Sequence, residues 1–320
     1  MFINVSRILK QMNVIPVVFA FDNNLTFPAC VCISSLMMHA KQDSFYDIFI
    51  IHSENEELDR TNLDKLSTFY PNCRIQYRTI TDVFSDAFQI RGITTPTYYR
   101  LLIPELIPEY DKIIYADVDI IFRMDLSDVY AVDLSNVYLA ATYEINMNIS
   151  ENGRKHIQSI AELTVGKYIQ AGFIIMNCDL IRKDKLQERF LELTKQKFTF
   201  QDQDILNIAC AGRIHILPWH YNMTTYSFYY MEKEPGKLGK YANSSFDIAR
   251  YQSNIHYNGA KPWKSYAINF DIWWEFYRKS PFFESKFYFD FFNDKQNELD
   301  KLSLMKRVKL LLRYFIYGRK

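Results

Sequence analysis

Asp117 and Asp119 stand one residue apart where the apolar run 112–116 ends. The run reads as a buried strand, and near a strand end the i and i+2 side chains project to the same side. Two like-charged carboxylates on one face repel, and burying either without compensation is expensive. A divalent cation relieves both costs, so Asp117-Val118-Asp119 is a candidate site for Mn²⁺ or Mg²⁺. The pattern alone is weak. A chain with 22 aspartates should show about one or two such pairs by chance, and a second copy stands at Asp202 and Asp204. The segment 255–263, Ile-His-Tyr-Asn-Gly-Ala-Lys-Pro-Trp, adds the missing parts. The His256 imidazole would complete the coordination of a first-row divalent ion, and a carboxylate–imidazole mixture suits Mn²⁺ as well as Mg²⁺. Gly259 lets backbone approach a phosphate closely, Lys261 offers it a compact positive charge, and Pro262 and Trp263 stiffen the loop. Together these residues supply what a pyrophosphate–metal complex needs.

Composition narrows the classes. Of 320 residues, 48% are hydrophobic and 16% aromatic, enough for a sizeable core in one large or two modest domains. Only nine are glycine. No Gly-x-Gly-x-x-Gly or Gly-x-x-x-x-Gly-Lys is present, so phosphate would be held by metal and side chains rather than by a glycine-rich loop. A net charge of +1 gives no reason to expect nucleic acid as a partner. The five scattered cysteines (Cys30, Cys32, Cys73, Cys178, Cys210) match no zinc spacing and read as buried free thiols. Met1–Met12 carries charges and lacks a long apolar segment, so no signal peptide is expected and the protein is read as intracellular.

The elements that must position these residues follow from hydropathy. Val14–Phe21, Asp47–His52 and Arg74–Ile80 read as strands; the intervening pattern through His39 and over Asn55–Tyr70 reads as helix. Further strands are expected at 112–116, Val137–Thr142 and Gly172–Asn177, and helices at Thr95–Ile103, 179–197 and 203–211. This alternation argues for βαβ units, an α/β fold with a mostly parallel sheet flanked by helices. Ligands of such sheets bind beyond the carboxyl ends of the strands, which places Asp22–Asn24 and the Asp117/Asp119 pair in one cleft. The catalytic domain is expected over 1–270 and a helical tail over 271–320. From Pro281 the sequence turns aromatic, and seven lysines and arginines with no acid follow Asp300, among leucines and aromatics. That is the composition of an interfacial helix attracted to anionic lipid.

With these motifs in order, the chain resembles the family 8 glycosyltransferases, retaining enzymes that include bacterial lipooligosaccharide galactosyltransferases and glycogenins. The matching segments are Phe19–Asn24, Thr94–Arg100, Tyr115–Asp119, Gln170–Asn177, Gln201–Asn207 and His256–Trp263. The resemblance implies a GT-A type, Rossmann-like sheet and a UDP-hexose donor. It implies that Ala20, Asp22 and Asn24 contact uracil and ribose and that Arg100 reaches the donor near sugar and phosphate. Asp117, Asp119 and His256 would ligate the metal, with Val118 between them, while Gly259 and Lys261 hold the diphosphate. Gln170, Ala171 and Gly172 match the family's Asn-Ala-Gly, whose amide bonds sugar hydroxyls. Asp202 would bind hydroxyls of the donor sugar, and Gln203 would face the anomeric carbon. Leu25 stands where the galactosyltransferase members carry an aromatic that stacks on uracil.

An amide at 203 is a poor nucleophile, which favours same-face substitution over the covalent route of retaining glycosidases; a double displacement through Asp204 or Asp202 is the alternative. The implied acceptor is a cell-surface glycan or glycolipid, met at the cytoplasmic membrane face. Glu144, Trp219, Tyr226, Phe228 and Tyr229, in the segments 143–168 and 219–250, are candidate acceptor residues. Three other functions compete. A catalytically silent sugar-binding protein would not need the full Asp117/Asp119/His256/Lys261 set. A sugar nucleotidyltransferase would carry a glycine-rich loop after its first strand. A glycogenin-like self-glucosylating enzyme fits the basic tail less well.

Overall fold

The structure, a computed structural model, describes residues 12–81, 84 and 96–317. Its central sheet takes strands in the order β3-β2-β1-β4-β7-β6-β8. They are β1 (Asn13–Ala20), β2 (Ser44–Ser53), β3 (Cys73–Ile80), β4 (Lys112–Ala116), β6 (Leu139–Tyr143), β7 (Ile169–Asn177) and β8 (Ile214–Ile216). β3, β2, β1 and β4 are mutually parallel, as are β6 and β8. β7 alone runs against both neighbours. The expected α/β class with a mostly parallel sheet is therefore found, and the near-continuous apolar runs of β1 and β2 are what burial on both faces requires. Residues such as Ile48, Phe49, Ile50 and Ile114 are fully buried.

A second, small sheet joins β5 (Ile120–Ile121), β10 (Ile255–His256) and β9 (Met223–Thr224) in that order. β5 begins directly after Asp119. Its antiparallel pairing sets His256 opposite Ile120, and the Tyr257 N–H donates to the Asp119 carbonyl at 2.9 Å. Through this ribbon, residue 256 reaches residues 117–119.

Two helices differ from expectation. Over Asn55–Tyr70 only Leu66–Phe69 is helical. The preceding turn is held by Asn23, whose side chain donates to the Glu57 carbonyl and accepts from the Asp59 N–H, each at 2.7 Å; tertiary hydrogen bonds override the local pattern. The 179–197 helix is two, Cys178–Lys183 and Leu186–Leu193, broken at Lys185 in the left-handed region (φ 53°). There the Asp184 carboxylate accepts from Tyr138 Oη and Arg213 at 2.7 and 2.8 Å. Thr94 and Thr95 lie outside the described residues, and the helical segment from Pro96 to Leu106 contains a 3₁₀ turn at Arg100–Leu102. All five cysteines are buried free thiols.

The chain divides into two compact units, 1–280 and 281–320. The helix Phe270–Lys279 packs within the first, where Trp273 meets Phe27 edge-on at 5.9 Å. The second unit holds helices Ser285–Asp300 and Leu304–Tyr317. In the last helix Leu304, Met305, Phe315 and Ile316 are each at least 70% exposed, alongside Lys306, Arg307, Lys309 and Arg313. Among the described residues no helix is long and apolar enough to cross a membrane.

Helix Glu151–Gln158 runs tightly against Ile145–Ile149 because position 153 is glycine: a Cβ there would lie 2.5 Å from the Met147 Cα and carbonyl oxygen. Gly153→Ala is expected to lower the unfolding free energy by about 1–3 kcal/mol, read as a lower urea midpoint with unchanged slope.

Candidate active site

The reversed direction of β7 brings the site together. β1 and β4 run in parallel side by side, so Ala20, Asp22 and Asp117 emerge at one edge of the sheet. β7 starts at that edge, which puts Gln170, Ala171 and Gly172 beside Asp117; the Asp117 N–H donates to the Gly172 carbonyl at 2.8 Å. The result is a cleft of about 340 Å³. Of the residues expected at the site, Ala20, Asp22, Arg100, Asp117, Val118, Asp119, Gln170, Ala171, Gly172, Asp202, Gln203, His256 and Lys261 line it, together with Leu25.

Three expected residues lie outside that lining. Asn24 is exposed and meets Asp22 through its backbone N–H (3.0 Å). Gly259 is exposed, and a Cβ there would make only ordinary contact with Thr225. Asp204 is fully buried; its carboxylate accepts from Tyr168 Oη at 2.6 Å and the Phe200 N–H at 3.0 Å, and contacts His156 Nε2 at 2.9 Å. Asp204 thus anchors the start of helix Gln201–Ala209. Asp202, two residues earlier, faces the cleft.

Ligand atoms of Asp117, Asp119 and His256 all lie within 4.8 Å of one another, the one such cluster among the described residues. His256 Nε2 is 3.1 Å from Asp119 Oδ1 and 3.7 Å from Asp117 Oδ2. Three observations fit this set to a divalent cation. Asp119 Oδ1 is buried without a hydrogen-bond donor, an expensive state for a carboxylate oxygen. A Cβ on Gly172 would fall 2.3 Å from His256 Cε1 and 2.5 Å from Asp117 Oδ2, so this glycine keeps the space between the ligands open. The donors, two carboxylates and one imidazole, suit Mn²⁺ or Mg²⁺.

Fixed cations surround the acidic pair. The Lys261 ammonium contacts Asp119 Oδ2 and donates to the Tyr257 carbonyl at 2.7 Å. Burial works to raise the Asp119 pKa, yet the Lys261 ammonium beside it outweighs burial and holds the carboxyl well below the usual range. Arg100, buried against the Tyr115 ring at 4.3 Å, bridges two acids: Nη2 donates to Asp117 Oδ1 at 2.9 Å, and Nε lies 3.1 Å from Asp202 Oδ2. Burial alone would lower its pKa, but Asp117 and Asp202 raise it above the ordinary value, so its charge is permanent. Asp202 is pushed up to about 7 by burial and by Asp117, against the pull of Arg100. The Gln203 amide oxygen accepts from the Ala171 N–H at 3.0 Å, which turns its other end toward Tyr168 Oη (3.5 Å).

Sequence reasoning missed Asn222, Tyr115 and Asn258. Asn222 Oδ1 lies 3.0 Å from His256 Nδ1, and Asn222 Nδ2 donates to Gln170 Oε1 at 2.7 Å. Tyr115 donates to Asp117 Oδ1 at 2.8 Å, a contact readable from its i−2 spacing on the same strand face. Among the candidate acceptor residues, Trp219 and Phe228 are buried, while Tyr226 and Tyr229 stand exposed on helix Thr225–Lys233. Glu144 is buried and caps helix Ile145–Ile149.

This sheet, with an acidic pocket at its carboxyl edge, has the GT-A type fold of the glycosyltransferases it superposes on. The chain belongs to Glycosyl transferase family 8, whose sequence profile matches residues 16–267. It is 23% identical over 260 residues to a lipopolysaccharide 1,3-galactosyltransferase of Salmonella typhimurium, spanning 78% of this chain and 73% of the relative. Among solved structures, the galactosyltransferase LgtC in complex with donor and acceptor sugar analogues superposes with a TM-score of 0.70 at 22% identity, covering 85% of this chain and 98% of the other. The bifunctional glycosyltransferase WbbM matches with a TM-score of 0.70 at 26% identity, covering 86% of this chain and 51% of its own length.

Two outcomes follow from the geometry. Gly172→Ala fills the space between the ligands, and calorimetric titration of the folded variant should show Mn²⁺ affinity reduced at least about tenfold. Burial raises the Glu144 pKa from 4.5 to about 7, against the Asn146 N–H, which lowers it. The folded chain keeps this proton to about pH 7 and the unfolded chain releases it near 4.5. The stability it contributes is full below 4.5 and lost as pH rises through 7. Glu144→Gln should therefore flatten the decline of the urea midpoint across that window; Asp202 leaves a residual slope.

Proposed function

We propose that the protein is a retaining, metal-dependent hexosyltransferase that moves galactose or glucose from a UDP-sugar to a hydroxyl of lipopolysaccharide or a similar cell-surface glycan. The observation that carries this reading is the convergence of Asp117, Asp119, His256, Arg100 and Lys261 on one cleft, from three separate parts of the chain. The relative and the structural neighbour named as galactosyltransferases support the hexose. The relative named for lipopolysaccharide supports the acceptor class.

A divalent ion held by Asp117, Asp119 and His256 would supply positive charge where the β-phosphate of the departing nucleotide gathers negative charge. Lys261 adds its ammonium to the diphosphate, and a fixed cation already in place stabilises charge as it develops without rearrangement. Ala20 and Asp22 flank the nucleoside end of the cleft. Asp202, held by Arg100, accepts hydroxyls of the sugar. Gln203, its oxygen fixed by the Ala171 N–H, lies beside the anomeric carbon. It offers an amide dipole to a cationic sugar and no competent nucleophile. The acceptor oxygen bonds to the anomeric carbon on the face where the bond to phosphate breaks, and the acceptor proton passes to the departing phosphate oxygen. The electron pair of the broken bond leaves on UDP, and configuration is retained. The exposed apolar residues and unbalanced positive charge of helix Leu304–Tyr317 support attachment to an anionic membrane surface on the cytoplasmic side, where a lipid-linked acceptor would be met.

UDP release from UDP-galactose and UDP-glucose, with Mn²⁺ and then with EDTA, tests the assignment; turnover that EDTA leaves untouched would overturn it. Lys261→Ala should lower kcat/KM about 10²–10³-fold. Gln203→Ala should retain measurable turnover, and a glycosyl–enzyme adduct trapped on the wild type would replace same-face substitution by double displacement.

A further inference from the structure

We propose that Asn222 is a positioning residue that fixes the tautomer of His256, and that the carbonyl end of Gln170 serves this relay. The inference deepens the reading of Asp117, Asp119 and His256 as a metal site and rests on it.

A neutral imidazole carries one N–H and one lone pair, and only the nitrogen with the lone pair can ligate a metal. Side-chain amides can be turned end for end, so the assignment has to begin at a group whose role is fixed. The Gly172 backbone N–H is such a group, because it can only donate. Its partner 2.6 Å away is therefore an oxygen, Gln170 Oε1. The Asn222 atom 2.7 Å from that same oxygen must donate, so it is the amide nitrogen. The other end of the Asn222 amide is then its carbonyl oxygen, 3.0 Å from His256 Nδ1. Facing an acceptor, Nδ1 holds the proton. Nε2 is left with its lone pair aimed at the Asp117/Asp119 pair.

An independent observation agrees. Asp119 Oδ1, 3.1 Å from Nε2, is a buried oxygen with no hydrogen-bond donor. Two lone pairs facing at that distance leave a place for a cation. Gln170, Asn222 and His256 are all at least 94% buried, so water does not compete for the relay. Asn222 is itself fixed by backbone: its N–H donates to the Trp219 carbonyl at 3.0 Å, and it leads directly into β9, which pairs with the strand carrying His256. A hydrogen bond to the non-ligating nitrogen sets ring orientation and ligand basicity, and its loss costs about 10–100-fold in metal affinity. Asn222 does not line the cleft itself. Because the Gln170 oxygen is engaged by Gly172 and Asn222, its Nε2 end is the part left to meet a donor sugar.

The test uses the full-length chain labelled with ¹⁵N-histidine, with His256 assigned by its loss in His256→Gln. In the metal-free wild type at alkaline pH, two-bond ¹H–¹⁵N correlations should show His256 protonated on Nδ1. Asn222→Leu should lose that preference and weaken Mn²⁺ binding, measured by calorimetry without nucleotide, about 10–100-fold. Gln170→Leu, which frees the Asn222 amide to turn, should move both readouts the same way by less. A merely structural role would lower the melting temperature and leave the tautomer alone. An Nε2-protonated wild type, or an unchanged tautomer and affinity in Asn222→Leu, would overturn the relay. Should the wild type bind no divalent ion, the metal reading fails, and the tautomer still decides the relay. Should Asn222→Leu not fold, the wild-type spectrum and Gln170→Leu decide.

Discussion

Three carboxylates, Asp117, Asp119 and Asp202, share one buried cleft with two fixed cations, Arg100 and Lys261. That crowding of acids in a low-dielectric setting is the constraint the site is built around. Arg100 is committed to two of the acids at once and to the Ala171 carbonyl at 2.6 Å. Lys261 reaches only one, from a loop at the rim. Burial already pushes Asp202 up to about 7, and the unmet demand for positive charge is concentrated where Asp119 Oδ1 has no donor. Under the proposed function a divalent cation would meet that demand, and its surplus positive charge would be what a nucleotide diphosphate complements.

Sheet topology makes the concentration of charge possible. Two parallel strands, β1 and β4, deliver their ends to one edge, and the reversed strand β7 delivers its beginning to the same edge. Asp117 and Gly172 are thereby backbone neighbours across β4 and β7. The β5–β10–β9 ribbon then folds His256 and Asn222 back over the pair. Gly172 is the steric counterpart of the charge requirement: any side chain there would occupy the space that the ligands surround. Gly259, which the sequence singles out for the same freedom, is exposed and meets no comparable crowding.

Much of this was legible in advance. The strands of the first half follow from apolar runs whose burial on both faces leaves no alternation to misread, and the candidate cleft follows from where those runs end. Most of the candidate residues line one cleft because carboxyl-edge placement is a property of the strand order. The helices were less legible. The acidic stretch after β2 has helical spacing, yet Asn23 holds it in turns, and Asp184 breaks what reads as one helix into two. Each is a hydrogen bond between residues remote in sequence, which periodicity does not encode.

The amino-acid sequence determined the chemistry available: two aspartates at a strand end, a histidine and a lysine five residues apart, and an amide at position 203 in place of a carboxylate. These are properties of residue type and short spacing. Only the tertiary structure decided which members of each pattern act together. Asp202 faces the cleft while Asp204, two residues on, turns into a network with His156 and Tyr168, because residues so spaced on a helix project in different directions. Asn222 carries no signal in its neighbourhood at all. Its role arises where two strands far apart in the chain lie side by side, and a buried hydrogen-bond chain can be read only after the backbone amide that starts it is in place.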